Sequence, residues 1–136
     1  MIAGFENTPA RIRDAASELW ESVLASVDPY KCVKDNLVEK NGLLNIAGQD
    51  YAIRNIKRIF LAGVGKAVEL MAQAVIEILQ DRIAGGYLVG KHLDSDFIKS
   101  LPETISAING SHPIPDMKSV ESARGMVEFL KKTFDG

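Results

Sequence analysis

The sequence predicts an α/β domain with a mainly parallel sheet, and three observations predict it. Ile59-Phe60-Leu61-Ala62 is a continuous apolar run ending at a glycine, the pattern of a strand buried on both faces. Gly85 to Gly90 and Thr104 to Asn109 are two further strand-like runs, each closed by turn-forming residues. Helical periodicity follows the first and the third, and strand, helix, strand, strand, helix is an order that winds parallel sheets.

Composition agrees with one such domain. A chain of 136 residues can bury about two-thirds of its unfolded surface in a single core. Its 46% hydrophobic and 25% charged residues are ordinary for a globular chain and unlike disordered or membrane compositions. Sixteen basic against eighteen acidic residues leave a net charge of -2. No stretch gathers the positive charge of a nucleic-acid footprint, so no nucleic-acid partner is expected. The opening Met1 to Glu6 has no basic region and no apolar run of secretory length, and nowhere do about 18 apolar residues follow one another. No membrane partner is expected, and the cytoplasm is the default compartment. The single cysteine, Cys32, forms no internal disulfide and reads as a small buried residue; cysteines and histidines are too few for a dedicated zinc site, and no metal site is expected.

Two helices and a small hairpin precede the sheet. From Thr8 to Val27, Ile12, Ala16, Leu19, Trp20, Val23 and Val27 recur at helical spacing, with Arg13, Asp14, Glu18 and Glu21 opposite. Thr8 is the expected N-cap and Pro9 fits the first helical position, where a missing N–H costs nothing. Asp28-Pro29 repeats that signal and opens a shorter helix through about Leu37. Leu43 to Ile46 and Tyr51 to Ile53 then flank a loop over Ala47 to Asp50 as a hairpin.

Between the first and second strands, Ala67 to Gln80 is a helix whose only polar stripe is Glu69, Gln73, Glu77 and Gln80, so it is covered on more than one side. The last helix runs from Asp116, its expected N-cap, to about Lys132, with Val120, Ala123, Val127 and Leu130 inward. Three strands make a narrow sheet, and the chain stops where a further strand is expected. The domain reads as incomplete over residues 1–136.

Gly63-Val64-Gly65-Lys66-Ala67 sits where the first buried strand turns into a helix. Gly63 and Gly65 let a ligand approach the backbone, and the N–H groups and positive dipole end of the helix favour an anion. Lys66 faces the wrong end of that dipole, at a cost of roughly 0.3 to 1 kcal/mol, which a nearby anion explains. A tight turn with a solvated lysine is the plainer reading. The turn is not a P-loop, because Phe60 and Ala67 stand where glycine and Ser or Thr are needed. Nor is it the dinucleotide fingerprint, which lacks its last glycine at Val68 and has no acidic residue closing the next strand.

Asn109-Gly110-Ser111-His112-Pro113-Ile114-Pro115-Asp116 is a second constellation, a loop stiffened by two prolines that holds Ser111 and His112 beyond the third strand. His112 either contacts a ligand or hydrogen-bonds its own loop. Lys91-His92 follows the second strand directly; exposed lysines are common, but ligands of open α/β sheets bind beyond the carboxyl ends of strands. Lys66, Lys91 and His112 all fall at such ends, and together outline a basic pocket for a small anion.

In this order and spacing, Gly63-Val64-Gly65-Lys66-Ala67 with Met71-Ala72, then Gly85-Gly86 through Val89 to Lys91, then Gly110 to Asp116, resemble the N-terminal domain of glycerate 2-kinases. The opening helices with Asp28-Pro29, and the hairpin with Gly48 and Tyr51, extend the resemblance over nearly the whole chain. It implies a partial Rossmann-like domain of three layers and ATP-dependent phosphorylation of D-glycerate at its 2-hydroxyl. ATP and Mg2+ are implied for the full-length enzyme, with none expected tightly bound here. Lys66 is implied as catalytic, either on the substrate carboxylate or on the moving phosphoryl group. Gly63, Gly65, Lys66, Lys91, Ser111 and His112 are the residues expected to bind glycerate or phosphate. Family members continue into a Ser-Gly-Gly-Gly-Ser-like turn and a second domain absent from this sequence, so the chain is expected to be inactive alone.

Two other classes stay open. A sugar-phosphate isomerase or binding domain of the SIS type also uses a Gly-x-Gly-Lys turn, but usually places Ser where this chain has Ala67. A non-catalytic module is the other, dimerising through an open sheet edge or an apolar helix face; homo-oligomers are expected on the same ground.

Overall fold

The computed structural model describes residues 9–111 and 114–134. Thr8, the expected first cap, lies outside them. Helix α1 (Ala10–Ser26) has Pro9 at its N-cap rather than its first position, and the Pro9 carbonyl accepts from the N–H groups of Ile12 and Arg13 at 2.9 and 3.2 Å. None of its residues is buried, and Leu19 and Trp20 are 67% and 63% exposed. Its apolar stripe is uncovered by the described residues.

Helix α2 (Pro29–Asn36) begins as its sequence requires, with Pro29 in the first turn and the Asp28 carboxylate accepting from the N–H of Lys31 at 2.9 Å. Its half-buried residues Tyr30, Val33 and Lys34 face the next long helix, where Tyr30 and Lys34 both bond Glu77. Cys32 lies off that face and is exposed, correcting the expectation that it is buried.

The expected hairpin is a three-stranded antiparallel meander: β1 (Leu37–Lys40), β2 (Leu43–Ile46) and β3 (Gln49–Ala52). Its two-residue turns, Asn41-Gly42 and Ala47-Gly48, all take positive φ, at 54°, 76°, 48° and 88°. These are the angles that match a turn to the twist of paired strands. The second turn is therefore shorter than expected: Gln49 and Asp50 belong to β3, paired with Ile46 and Asn45. Asn45 secures it, donating to Asp50 at 2.7 Å and accepting from the Gly48 N–H at 3.0 Å.

The second sheet is parallel, of β4 (Ile59–Val64), β5 (Ile83–Gly90) and β6 (Ile105–Asn109) in that order. This is the α/β fold of a partial Rossmann-like domain. Helix α3 (Val68–Leu79) crosses from β4 to β5 and α4 (Ser95–Ser100) from β5 to β6, on the same face. Leu88 is wholly buried there, with Val68, Ala72, Leu93, Phe97 and Ile105 around it. Helix α4, which the sequence reading lacks, is capped by Asp94, whose carboxylate accepts from the N–H groups of Asp96 and Phe97 at 2.7 and 3.2 Å. Fewer than two turns leave too little periodicity to register.

Helix α5 (Met117–Phe134) covers the opposite face, rotated from the expected orientation. Its buried residues are Ser122 and Met126, while Val120 and Val127 are 40% and 50% exposed and Ala123 is exposed too. Gly125 presses on Tyr87, where a Cβ would collide with the phenol. The Phe129 ring meets Phe60 and Tyr87 at centroid distances of 6.0 and 6.1 Å. No helix among the described residues is long and apolar enough to cross a membrane.

Candidate functional site

The carboxyl ends of β4, β5 and β6 each turn outward beside the start of α5. After Val64 the chain enters Gly65 at φ 129°, an angle that strains any residue with a side chain. The Gly65 N–H donates to the Val89 carbonyl at 3.0 Å and so extends the ladder. Ala67 holds the N-cap position of α3 without a side-chain acceptor. Among the described residues, the N–H groups of Lys66 and Ala67 find no backbone acceptor, and that of Val68 reaches the Gly65 carbonyl only at 3.5 Å. These are the donors left for an anion at this helix end.

Beyond β5, Gly90 packs against the Leu93 side chain with no room for a Cβ, and Lys91 follows it. The Gly110 N–H after β6 donates to the Gly90 carbonyl at 2.8 Å, and the Asn109 side chain accepts from the Leu93 N–H at 2.7 Å. Helix α5 clasps this loop. Ser119 accepts from the Ser111 N–H at 3.1 Å and donates to the Ser111 carbonyl at 3.3 Å. Asp116 caps the helix, accepting from the N–H groups of Lys118 and Ser119 at 2.9 and 3.2 Å. A hydrogen bond from the Ser111 side chain, more than those backbone bonds, holds the Asp116 carboxyl below its ordinary range against the opposing effect of desolvation.

A cavity of about 520 Å³ opens where these ends meet, with Gly65, Lys66, Lys91 and Ser111 in its wall. Four of the six site residues expected from sequence thus come together. Gly63 does not line it. A Cβ on Gly63 would stand 2.6 Å from Val68 Cγ2 and 3.1 Å from Leu88 Cδ2, so this glycine lets α3 close on the sheet. His112 lies outside the described residues, and His92 is exposed and off the cavity wall. The wall supplied by α5, including Ser119, Ala123, Met126 and Val127, is absent from the sequence reading. Its signal was an apolar stripe on α5, read as core rather than as the side of a cleft.

Two lysines and no acidic residue give the wall a positive charge. Mg2+ does not fit it: the ion is held through carboxylate oxygens, the wall has none, and no group of three or more His, Cys, Asp or Glu suited to a metal forms among the described residues.

Residues 15–135 match a family described as a domain of unknown function, DUF4147. Glycerate 2-kinase of Pyrococcus horikoshii is 27% identical over 121 residues, which make up 89% of this chain and 26% of that protein. D-glycerate 2-kinase of Thermotoga maritima is 25% identical over 122 residues, 90% of this chain and 25% of that one. A crystal structure of a Pyrococcus horikoshii OT3 protein superposes at a TM-score of 0.69 with 27% identity, over 96% of this chain and 27% of the other. The chain spans about a quarter of the length of the relatives it matches.

Proposed function

We propose, from the premise that this chain belongs to the DUF4147 family and is related to glycerate 2-kinases, that it is the N-terminal part of a cytoplasmic kinase transferring phosphate from ATP to the 2-hydroxyl of D-glycerate. The observation that carries this reading is the convergence of Lys66 and Lys91 on one cavity at the strand ends, beside a helix start whose Lys66 and Ala67 N–H groups have no backbone acceptor among the described residues. Phosphoryl transfer rests on positioning and on cations that neutralise charge spread over the transferred group. Lys66 serves as that cation or holds the glycerate carboxylate, and Ser111, whose N–H is held by Ser119, forms part of the wall beside it. The remainder of the cleft, with any Mg2+ ligands, belongs to protein beyond these residues, and the chain alone turns over no glycerate.

Titration of the chain with phosphate and with D-glycerate, followed by NMR at the Lys66 and Ala67 amides, tests the anion site. Both ligands shift these amides at millimolar concentration, and Lys66→Ala removes most of the response without lowering stability, because the lysine opposes the helix dipole. Unmoved amides at tens of millimolar of either ligand would rule the reading out.

A second copy of the chain is the proposed partner, on the observation that the apolar stripe of α1 and the outer edges of β4 and β6 are uncovered by the described residues. Light scattering across the micromolar range should show dimers or larger; a strict monomer rejects it.

A further inference from the structure

We propose that the trough at the amino ends of β4 and β5 is a second anion site, which takes a small molecule carrying two or more phosphate or carboxylate charges. It lies outside the kinase reading, at the other end of the same strands. Ile59 opens β4 and Arg82 precedes β5, whereas Lys66 and Lys91 follow those strands. The six residues of β4, at about 3.3 Å each, put roughly 20 Å between the two places.

Charge is the first reason. Two adjoining cavities of about 350 and 600 Å³ share Ile53 and Arg82 in their walls. Arg54, Lys57 and Arg58 complete the basic lining, against one acid, Asp81. Three of these four cations come from the run Arg54-Asn55-Ile56-Lys57-Arg58, which has no acidic residue, and the fold adds the fourth. Arg82 is engaged: its Nε and Nη2 donate to the Glu39 carboxylate at 3.0 and 2.6 Å. Arg54, Lys57 and Arg58 form no ion pair among the described residues. Three unpaired cations thus face one carboxylate in a chain whose net charge is -2. Like charges gathered in this way repel one another, and an anion relieves that repulsion.

Geometry is the second. The Arg58 guanidinium lies 5.3 Å from the centre of the Phe60 ring, a contact that holds its plane. A planar guanidinium so held can take the oxygens of phosphate or carboxylate two at a time. The backbone N–H groups of Lys57 and Arg58 find no backbone acceptor among the described residues. Ile53, Ile56 and Ile59, all half-buried, line the same walls and lower the local dielectric, which strengthens attraction to an anion.

The test titrates the 136-residue chain with pyrophosphate, succinate and acetate at constant ionic strength, followed by NMR at the amides of Arg54 to Arg58 and of Lys66 and Ala67. Pyrophosphate, succinate or both are expected to shift the first set saturably and bind about tenfold more tightly than acetate, because two charged groups reach two cations. The tighter of the two identifies phosphate or carboxylate as the preferred group. Arg58→Ala should weaken this binding about tenfold, and Lys66→Ala should leave it unchanged. Glu39→Gln releases Arg82 and should tighten binding about threefold while lowering stability, since the ion pair is lost. A purely structural role for Glu39 would lower stability and leave the affinity where it was.

Shifts that grow linearly with concentration and are alike for all three anions would mean charged surface only, and overturn the proposal. Unchanged affinity in both Arg58→Ala and Glu39→Gln overturns it as well. A response confined to Lys66 and Ala67 would remove this site and leave the one at the carboxyl ends of the strands standing.

Discussion

On the α3 side of the parallel sheet Leu88 has no exposed surface, and glycines at 63 and 90 bring Val68 and Leu93 into direct contact with the strands. On the α5 side the covering helix buries only Ser122 and Met126, and Val64 stays 72% exposed at the end of its strand. Glycine differs in use between the two regions as well: a Cβ on Gly63 would strike its neighbours, whereas one on Gly65 would meet nothing within 4 Å. One face is packed to hold the fold, and the other is left open at the strand ends, where two lysines and a cavity lie. The difference teaches that an apolar stripe has two destinies, the core or a cleft, and that only close packing tells them apart.

Substitutions on the two faces sharpen that contrast. Leu88→Ala opens a cavity in the packed face and should cost about 3 kcal/mol by urea denaturation, the largest effect expected. Gly63→Ala forces Val68 to move and should cost about 1 to 3 kcal/mol, without weakening phosphate binding beyond that loss. Asp116→Ala uncaps α5 and should cost less than either. Because the Asp116 carboxyl is held below its ordinary range, its contribution is full at neutral pH and fades as pH falls through its depressed value. Glu77 is lowered as well, mainly by Tyr30 and then by Lys34, so Asp116→Asn should flatten only part of the acid limb of the stability profile. Val120→Ser, on the open side of α5, should change stability by no more than about 0.5 kcal/mol. A cost for Val120→Ser equal to that of Leu88→Ala would show both faces to be core and end the comparison.

The packed face was legible in the sequence. Gly85 to Gly90 announces the buried central strand by continuous apolarity, and α3 shows by its narrow polar stripe that it is covered; Ile59 to Ala62 is a parallel strand as expected, but none of it is buried, because β4 lies at the edge of the sheet. Asp28-Pro29 fixed the start of α2 because the cap is a local interaction. The meander was half seen: Asn41-Gly42 is a strong hairpin signal, but Glu39, Lys40, Gln49 and Asp50 lack apolar alternation, so their pairing follows from the turns. Lys66, Lys91 and Ser111 were placed correctly at strand ends, since position along the chain is enough to locate them there. The α5 wall was not legible, because periodicity gives a stripe and not the direction it faces. The face toward the sheet is the one carrying Gly125, whose lack of a Cβ makes room for Tyr87.

The parallel strands are neighbours in space in the order in which they occur in the chain. Each pairing closes a loop containing one helix, with Ile59 joining Ile83 and Gly86 joining Ile105. Short loops carry a small entropic cost, and contacts of low sequence separation form early. During synthesis β4, α3 and β5 can therefore settle together before α5 has left the ribosome, with β6 and then α5 added afterwards. The hydrophobic nucleus would assemble from the middle of the chain outward, and the cavity, which needs α5 for its far wall, would be the last part of the domain to take shape.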